Sequence, residues 1–304
     1  MTNIATHPDN PVFSSVNGVL FNREKTKIIC YPHGLQGDYV IPDSTVEIGR
    51  CSFNGCKNLT SVFFPDSVIK IEDHAFSYCT GLTFLNLPDS NVEIDDHAFY
   101  GCTGLKSVFI PKSVTKMNCR AFHNSIDFKI HPDNCSFIVE NGILFNSDKT
   151  ELLRYPEDRQ GDYIIPDSVI KIGSKAFSCC HSLTSIIIPE SVVEIDESAF
   201  WYCTGLTSVI IPCSVTKIVS NAFQGCERLK SVIIPDSVVV IEDCAFADCY
   251  NLTSLDIPKT VVEIGDWAFE HSPTRFRVHL DNPVYAVDDM GYLIEKKIKE
   301  YQTT

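Results

Sequence analysis

The feature that most constrains this chain is a 23-residue unit that recurs almost unchanged through two runs. One copy, residues 206–230, reads LTSVIIPCSVTKIVSNAFQGCERLK. Proline and phenylalanine both keep the 23-residue step. The positions are Pro42, Pro65, Pro88, Pro111, Pro166, Pro189, Pro212, Pro235 and Pro258, and Phe53, Phe76, Phe99, Phe122, Phe177, Phe200, Phe223, Phe246 and Phe269. A repeat of this length predicts a solenoid, in which each unit buries its apolar face against the next.

Within one unit the apolar residues stand at fixed places, which are Leu206, Val209, Ile211, Val215, Ile218, Ala222, Phe223 and Cys226. Val209 and Ile211 alternate with a residue that faces the other way, as in a β-strand. Pro212 ends this strand because proline has no N–H to donate to a ladder. We expect a second short extended segment after it, and then a helical or 3₁₀ turn around Ala222 and Phe223.

A charge pattern supports stacking of the second segments independently. The residue two after the conserved valine position is mostly charged, and its sign alternates from unit to unit except at Val240. The residues are Glu47, Lys70, Glu93 and Lys116 in the first run, and Lys171, Glu194, Lys217, Val240 and Glu263 in the second. Because opposite charges favour strand pairing and like charges oppose it, this order predicts a parallel ladder on an outer face.

The 23-residue rhythm is interrupted by a second kind of unit, which begins at His7, His131 and His279. Each copy reads as a β-hairpin, with a polar turn at 22–26 or 146–150 in the first two copies. We therefore expect one solenoid over 1–304, with an N-terminal hairpin cap (1–40), a first repeat run (41–130), an inserted hairpin unit (131–164), a second run (165–278) and a C-terminal hairpin cap (279–304).

Charge and hydropathy argue against nucleic acid as a partner and against insertion into a membrane, although a local basic patch stays possible. The net charge of −14 argues against nucleic-acid binding through a general basic surface, and no stretch is apolar enough to cross a membrane. The first residues lack the charged and apolar regions of a signal peptide. A cytoplasmic location therefore stays open.

The 14 cysteines do not read as a disulfide framework. Half of them lie three residues after the repeat phenylalanine, and these are Cys56, Cys79, Cys102, Cys180, Cys203, Cys226 and Cys249. This spacing predicts a buried column of free thiols, in which each S–H is a weak donor to a turn carbonyl. With no C-x-x-C pair, zinc-ribbon and thioredoxin-type sites are not expected.

The unit C-x-x-L-x-S-V-x-I-P-x-S-V-x-x-I-x-x-x-A-F, as in 203–223, resembles the BspA-like leucine-rich repeat, and nine units keep its spacing. The resemblance implies a right-handed leucine-rich-repeat horseshoe, mainly β with short 3₁₀ or helical turns and a parallel sheet on the concave side. It also implies a cell-surface or secreted protein that binds host, matrix or microbial proteins, or else a glycan. We expect a monomer without a cofactor.

The concave strands would present one outward residue between the valine and isoleucine positions, and in five of nine places it is apolar. Together with Phe84, which replaces a bordering serine, the predicted partner-binding residues are Phe63, Phe84, Phe109, Ile187, Ile210, Ile233 and Asp256. Lys129 and Arg277 fall at the same position in irregular units. An apolar stripe of this kind is typical of an interaction surface. The alternative is that these residues serve strand propensity alone.

Catalytic motifs are absent from the sequence, so no catalytic or cofactor-binding residue is predicted. Cys51, His74 and His97 occupy one slot in three consecutive units, where stacked side chains could hold zinc or copper. Because the same slot carries residues such as Trp267 elsewhere, we expect a tolerant surface position and no metal. The sequence predicts a non-enzymatic recognition solenoid involved in adhesion or partner binding. An intracellular scaffold or regulatory protein of the same fold is the alternative.

Overall fold

The computed structural model describes residues 3–122 and 126–296, and these form a β-solenoid with almost no helix. The chain divides into two compact units, Met1–Ser147 and Asp148–Thr304. Within the described residues, no helix has the length and apolar character needed to cross a membrane. The prediction that 1–304 is one solenoid stays a prediction.

The described residues of the first unit form thirteen short strands and one 3₁₀ helix, Cys119–Ala121. The strands are β1 (Phe13–Val16), β2 (Val19–Asn22), β3 (Lys27–Cys30), β4 (Gly37–Val40), β5 (Glu47–Ile48), β6 (Leu59–Phe63), β7 (Lys70–Ile71), β8 (Phe84–Asn86), β9 (Glu93–Ile94), β10 (Ser107–Ile110), β11 (Asp127–Ile130), β12 (Phe137–Glu140) and β13 (Ile143–Asn146).

The second unit repeats the same alternation of longer and two-residue strands. They are β14 (Glu151–Arg154), β15 (Gly161–Ile164), β16 (Lys171–Ile172), β17 (Leu183–Ile187), β18 (Glu194–Ile195), β19 (Ser208–Ile210), β20 (Lys217–Ile218), β21 (Ser231–Ile233), β22 (Val240–Ile241), β23 (Ser254–Ile257), β24 (Glu263–Ile264), β25 (Arg275–Val278), β26 (Tyr285–Val287) and β27 (Leu293–Glu295).

Each repeat contributes one strand to each of two parallel ladders. The front ladder pairs β4-β6-β8 and β10-β11 in the first unit, and β15-β17, β19-β21 and β23-β25 in the second. The back ladder pairs the two-residue strands β5-β7-β9, β16-β18 and β20-β22-β24. A proline follows each front strand of the 23-residue units, as the sequence predicted.

The back ladder places the alternating charges opposite each other. Glu47 pairs with Lys70, and Lys171 pairs with Glu194. Lys171 Nζ lies 3.2 Å from a Glu194 carboxylate oxygen and 3.0 Å from Asp196. The parallel ladder predicted from charge is confirmed. Because the side chains are partly exposed, each ion pair contributes no more than about 1 kcal/mol.

The core of both units is a column of phenylalanines and a column of cysteines. Consecutive repeat phenylalanine rings stack with centroids 4.4–5.8 Å apart and are almost parallel. The seven column cysteines are fully buried and free. Cys203 Sγ lies 2.9 Å from the carbonyl oxygen of Phe177, and Cys226 Sγ lies 3.2 Å from that of Phe200. The predicted thiol-to-carbonyl column is therefore confirmed.

The turn around Ala222 and Phe223 differs from a regular helix. Its backbone makes i→i−3 hydrogen bonds, such as Gln224 N to Asn221 O at 3.2 Å, as a 3₁₀ turn does. However, Asn221 has φ 57° and Gly225 has φ 72°, both in the left-handed region. Two left-handed residues around one phenylalanine stop the helix from propagating. The same pair of positions is left-handed in seven other repeats.

The first two hairpin units contain the predicted hairpin together with an additional strand. In the first copy β2 pairs with β3 across a turn in which the Asn22 side chain accepts hydrogen bonds from the N–H groups of Thr26 and Lys27, at 2.8 and 2.9 Å. The preceding strand β1, which the sequence did not predict, pairs with β2 through Asn17 and Gly18, at φ 49° and 82°. In the third copy β26 pairs antiparallel with β27, and 297–304 of the predicted C-terminal cap lie outside the described residues.

Candidate functional site

An exposed row of isoleucines lies on the front ladder of the second unit. We name Ile164, Ile187, Ile210 and Ile233 the isoleucine row. Their exposed fractions are 66%, 56%, 61% and 57%. Ile164 pairs with Ile187, and Ile210 pairs with Ile233. A hydrogen bond of 3.2 Å from Thr207 N to Thr184 O joins the two halves. With strands about 4.8 Å apart, the row is about 14 Å long.

A charged pair ends this row. Asp256 and Arg277 occupy the next positions of the front ladder, as predicted, and pair directly. The guanidinium is bidentate, with Nε bonded to Asp256 Oδ1 and Nη2 3.0 Å from Oδ2. This hydrogen bond raises the pKa of Arg277 above its usual value. The pair borders a hollow of about 380 Å³, which Ile234 and Asp236 also line. The row therefore has an apolar middle and a polar end.

The first unit presents aromatic residues on the same ladder, with Phe63 and Phe109 at the positions that correspond to the isoleucines and Phe84 opposite Ser61. Phe63, Phe84 and Phe109 are 37%, 49% and 48% exposed. The rings of Phe63 and Phe84 lie 5.6 Å apart in a tilted arrangement. Lys129 pairs with Phe109, so it takes the predicted position in the irregular unit. All seven predicted residues thus lie on exposed front-ladder positions in the two units. Their role in binding a partner stays a prediction.

Hydroxyl and carboxylate groups border both surfaces in the same way. Thr60 Oγ1 donates to Asp38 Oδ1 at 2.8 Å, and Thr184 Oγ1 donates to Asp162 Oδ1 at the same distance. The hydrogen bond from Thr60 lowers the pKa of the Asp38 carboxyl, so this carboxylate stays ionised at neutral pH. Fixed acceptors beside an apolar surface supply orientation to a bound partner.

Two front-ladder residues were missed by sequence reasoning. Val40 is 70% exposed and pairs with Phe63, and Ile164 begins the isoleucine row. Both belong to hairpin units, whose ends were not aligned with the repeat. The sequence did contain a signal for both residues. Pro42 and Pro166 follow them two positions later, as Pro212 follows Ile210 in a 23-residue unit.

A second set of exposed apolar residues, also missed, lies beside the back ladder of each unit. Its members are Ile69, Ile170, Val193, Val239 and Val262, with exposed fractions of 41–56%. This set is interrupted by Thr216 in the second unit. A polar β-branched residue serves strand propensity as well as valine does, and the isoleucine row contains none. The uninterrupted row is the stronger candidate interface.

Three potential metal ligands come together on the turns of the first unit. Asp73, His74 and His97 each offer a ligand atom, and these atoms lie within 4.8 Å of one another. This is the one group of three or more such residues within 3–122 and 126–296. Cys51, from the slot considered in the sequence, is exposed and does not belong to the group.

Comparison with known proteins identifies the repeat. A family model described as “BspA type Leucine rich repeat region” matches residues 33–147 and 159–275 in six copies, which is more than half of the chain. A search of curated proteins finds no match.

Several solved structures share the fold. A leucine rich cell surface protein from Faecalibacterium prausnitzii is 24% identical, with a TM-score of 0.50, and the match covers 91% of this chain and 97% of that protein. A leucine-rich repeat protein from Eubacterium ventriosum is 23% identical, with a TM-score of 0.51 and coverages of 78% and 82%. The pneumococcal vaccine antigen PcpA is 18% identical, with a TM-score of 0.54 and coverages of 94% and 84%. At these identities the likeness shows the fold alone.

Proposed function

The chain belongs to the BspA-type leucine-rich repeat family, and from this premise we propose that it is a non-enzymatic protein-recognition solenoid. Its binding surface is the exposed face of the front ladder, centred on the isoleucine row and bordered by Asp256 and Arg277. The aromatic residues Phe63, Phe84 and Phe109 form the corresponding surface of the first unit. Leucine-rich repeat proteins generally bind proteins or other ligands, which agrees with this assignment.

The observation that carries the proposal is the uninterrupted exposure of four isoleucines at about 60% each. Burying a complete isoleucine side chain contributes about 1.5–3 kcal/mol, so covering the exposed part of all four contributes about 4–7 kcal/mol. A dissociation constant of 1 μM corresponds to a net binding free energy of about 8 kcal/mol. The contacts must supply this amount and also offset the entropic cost of association. The row can therefore supply the apolar centre of an interface, while polar contacts around it must supply the remainder.

The charge of the chain narrows the partner. At a net charge of −14, long-range electrostatic repulsion disfavours acidic partners. Neutral protein surfaces are not repelled, and basic ones are attracted. A glycan would instead bind through the threonine and aspartate groups at the border. We favour a protein ligand on a host, matrix or microbial surface, and hence a role in adhesion. The description of the Faecalibacterium structure as a cell surface protein supports this choice.

The alternative is an intracellular scaffold or regulatory protein that uses the same surface. The free thiols favour it, because buried reduced cysteines are usual in a reducing compartment. The two functions differ in the source of the partner and not in the surface that binds it.

The test is a pull-down that compares surface and matrix extracts with cytosolic extracts. The parent is compared with a triple variant, Ile187→Asp, Ile210→Asp and Ile233→Asp. A matched control carries Ile170→Asp, Val193→Asp and Val239→Asp beside the back ladder. Circular dichroism confirms that each variant is folded.

A partner that the parent and the back-ladder control retain, and that the front-ladder variant loses, supports recognition through the isoleucine row. Its extract of origin then separates adhesion from scaffolding. A partner retained equally by all three proteins places the site elsewhere and overturns the proposal.

A further inference from the structure

The turn region of the first unit contains a histidine pair that recognition through the front ladder does not use. The imidazoles of His74 and His97 come from consecutive repeats and stack at a centroid distance of 5.0 Å, with planes 7° apart. Asp73 precedes His74, and one of its carboxylate oxygens lies 3.9 Å from His74 Nε2. All three side chains are half-buried, with 25–34% of their surface exposed. They are held at the edge of the solenoid and remain within reach of solvent.

Backbone conformation fixes where the two imidazoles begin. His74 and His97 have φ 55° and 56°, in the left-handed region that L-residues seldom adopt. The N–H of His74 donates to the carbonyl oxygen of Asp96 at 3.2 Å, which links the two turns directly. The two imidazoles therefore project from equivalent, hydrogen-bonded turns and stay paired.

The hydrogen bonds of Ser77 define the tautomer of His74. Ser77 Oγ lies 2.7 Å from the carbonyl oxygen of His97 and must donate its proton there, because a carbonyl only accepts. The same Oγ lies 2.9 Å from His74 Nδ1, so it accepts a hydrogen bond from Nδ1–H. Neutral imidazole protonated on Nδ1 carries its lone pair on Nε2, which is the nitrogen that faces Asp73.

The second imidazole is oriented by a carboxylate. His97 Nδ1 lies 3.1 Å from Asp96 Oδ2, so Nδ1–H donates to this oxygen. The other oxygen of the same carboxylate, Oδ1, is buried without a hydrogen-bond partner among the described residues. Arg120 Nη1, 3.6 Å from Oδ2, balances the charge of Asp96. A carboxylate or hydroxyl on Nδ1 is the usual outer partner of a histidine that binds metal through Nε2.

We propose that Asp73, His74 and His97 bind a divalent transition-metal ion of the zinc class, through Nε2 of both imidazoles and one oxygen of Asp73. Ser77 and Asp96 are positioning residues, because they hold the Nδ1–H tautomers. Three protein ligands leave the fourth tetrahedral position to water. Ligand atoms around zinc lie about 3.4 Å apart, given bonds of about 2.0–2.1 Å. One potential ligand atom of each residue already lies within 4.8 Å of the others, and the imidazoles must tilt about their Nδ1 hydrogen bonds to bring Nε2 to the metal.

Arg50 is the group that opposes binding. Its Nη2 lies 3.2 Å from Asp73 Oδ2, so a metal competes with the guanidinium for this carboxylate. Because the arginine is 71% exposed, the ion pair is weak and is readily exchanged for a metal bond. An Arg50→Ala variant is therefore expected to bind the ion more tightly.

The test is a titration of the chelator-treated full chain with Zn²⁺, with a chromophoric chelator as competitor and with Co²⁺ as the spectroscopic probe. Cys51, Cys135 and Cys213 are exposed thiols that also bind these metals, so all three are first replaced by serine. The expected result is one equivalent of tightly bound Zn²⁺. The Co²⁺ form should show visible d–d bands without sulfur-to-metal charge transfer. Zn²⁺ should also raise the melting temperature.

The variants His74→Ala and His97→Ala should each weaken Zn²⁺ binding at least 100-fold, and Ser77→Ala should weaken it about 10-fold or more. The matched control is His271→Ala, since His271 pairs with Asp248 in the second unit but has no second imidazole in its group. It should bind Zn²⁺ as the parent does. His74→Gln tests the same ligand if His74→Ala fails to fold. The proposal is overturned if the serine-substituted parent takes up no stoichiometric Zn²⁺, or if the His74 and His97 variants bind it as tightly as the control.

Discussion

Truncation of one ring in the phenylalanine column tests whether stacking of the repeats stabilises the fold. Phe223 is fully buried, and its ring lies between those of Phe200 and Phe246. The centroid distances are 5.1 and 5.4 Å, with planes 3° and 5° apart. Phe223→Ala removes both ring contacts at once and leaves a cavity between two repeats.

The expected loss of unfolding free energy is about 3–5 kcal/mol, which is typical when a buried phenylalanine is truncated to alanine. We expect the upper part of this range, because two rigid neighbouring rings cannot close the cavity without shifting a whole turn. For a cooperative unit of this size, such a loss lowers the melting temperature by about 6–20 °C. The matched control is Ile210→Ala in the neighbouring repeat. Its side chain is 61% exposed, so its truncation should change stability by about 0.5 kcal/mol or less.

Urea unfolding followed by far-ultraviolet circular dichroism, together with thermal melting, measures both variants against the parent. A melting temperature for Phe223→Ala within a degree or two of the parent would refute the reasoning, because the ring would then contribute no core packing. Equal losses for Phe223→Ala and Ile210→Ala would refute the distinction between the buried column and the exposed row.

Two further outcomes follow from the titratable groups. Iodoacetamide at pH 8 should label the exposed thiols of the native protein but leave the cysteine column unlabelled until urea is added. The reason is that burial raises the pKa of Cys249 to about 12 and that of Cys226 well above 9.0. Mass spectrometry of the peptides measures the labelling, and labelling of the column in the native state would contradict this expectation. A hydrogen bond of 2.9 Å to Asp248 raises the pKa of His271 above 6.5. The stabilisation of the fold by protonated His271 is therefore complete below pH 6.5 and is lost as the pH rises through the raised pKa. His271→Ala should therefore lower the melting temperature more at pH 5.5 than at pH 8.5, and an equal or reversed difference would rule out this ion pair.

The regular parts of the fold could be predicted from the sequence because each repeat residue has one physical role. Proline cannot continue a ladder, alternating charges require facing strands, and a phenylalanine recurring every 23 residues can only be buried by its neighbours. Glu47 and Lys70 illustrate this, since their predicted pairing is the observed register.

The turns could not be predicted in the same way. Glycine and asparagine are the usual signals of left-handed backbone, yet Trp267 at φ 54° and Tyr202 at φ 54° adopt it without either. The surrounding turn imposes this conformation through hydrogen bonds to the next repeat, which a single unit does not reveal. The tautomer of His74 was also inaccessible, because it depends on which carbonyl takes the proton of Ser77.

The spacing of the repeats determines which ligands can place their side chains in register with the isoleucine row of the front ladder. The isoleucines are partners in a parallel ladder, so they recur about every 4.8 Å. An extended peptide presents side chains on one face every 6.6–6.8 Å or so and falls out of step with the row by the second contact. A helix presents a turn about every 5.4 Å, which is much closer to the spacing of the row. The repeat distance of the solenoid thus favours a helical ligand over an extended one, whatever side chains the ligand carries.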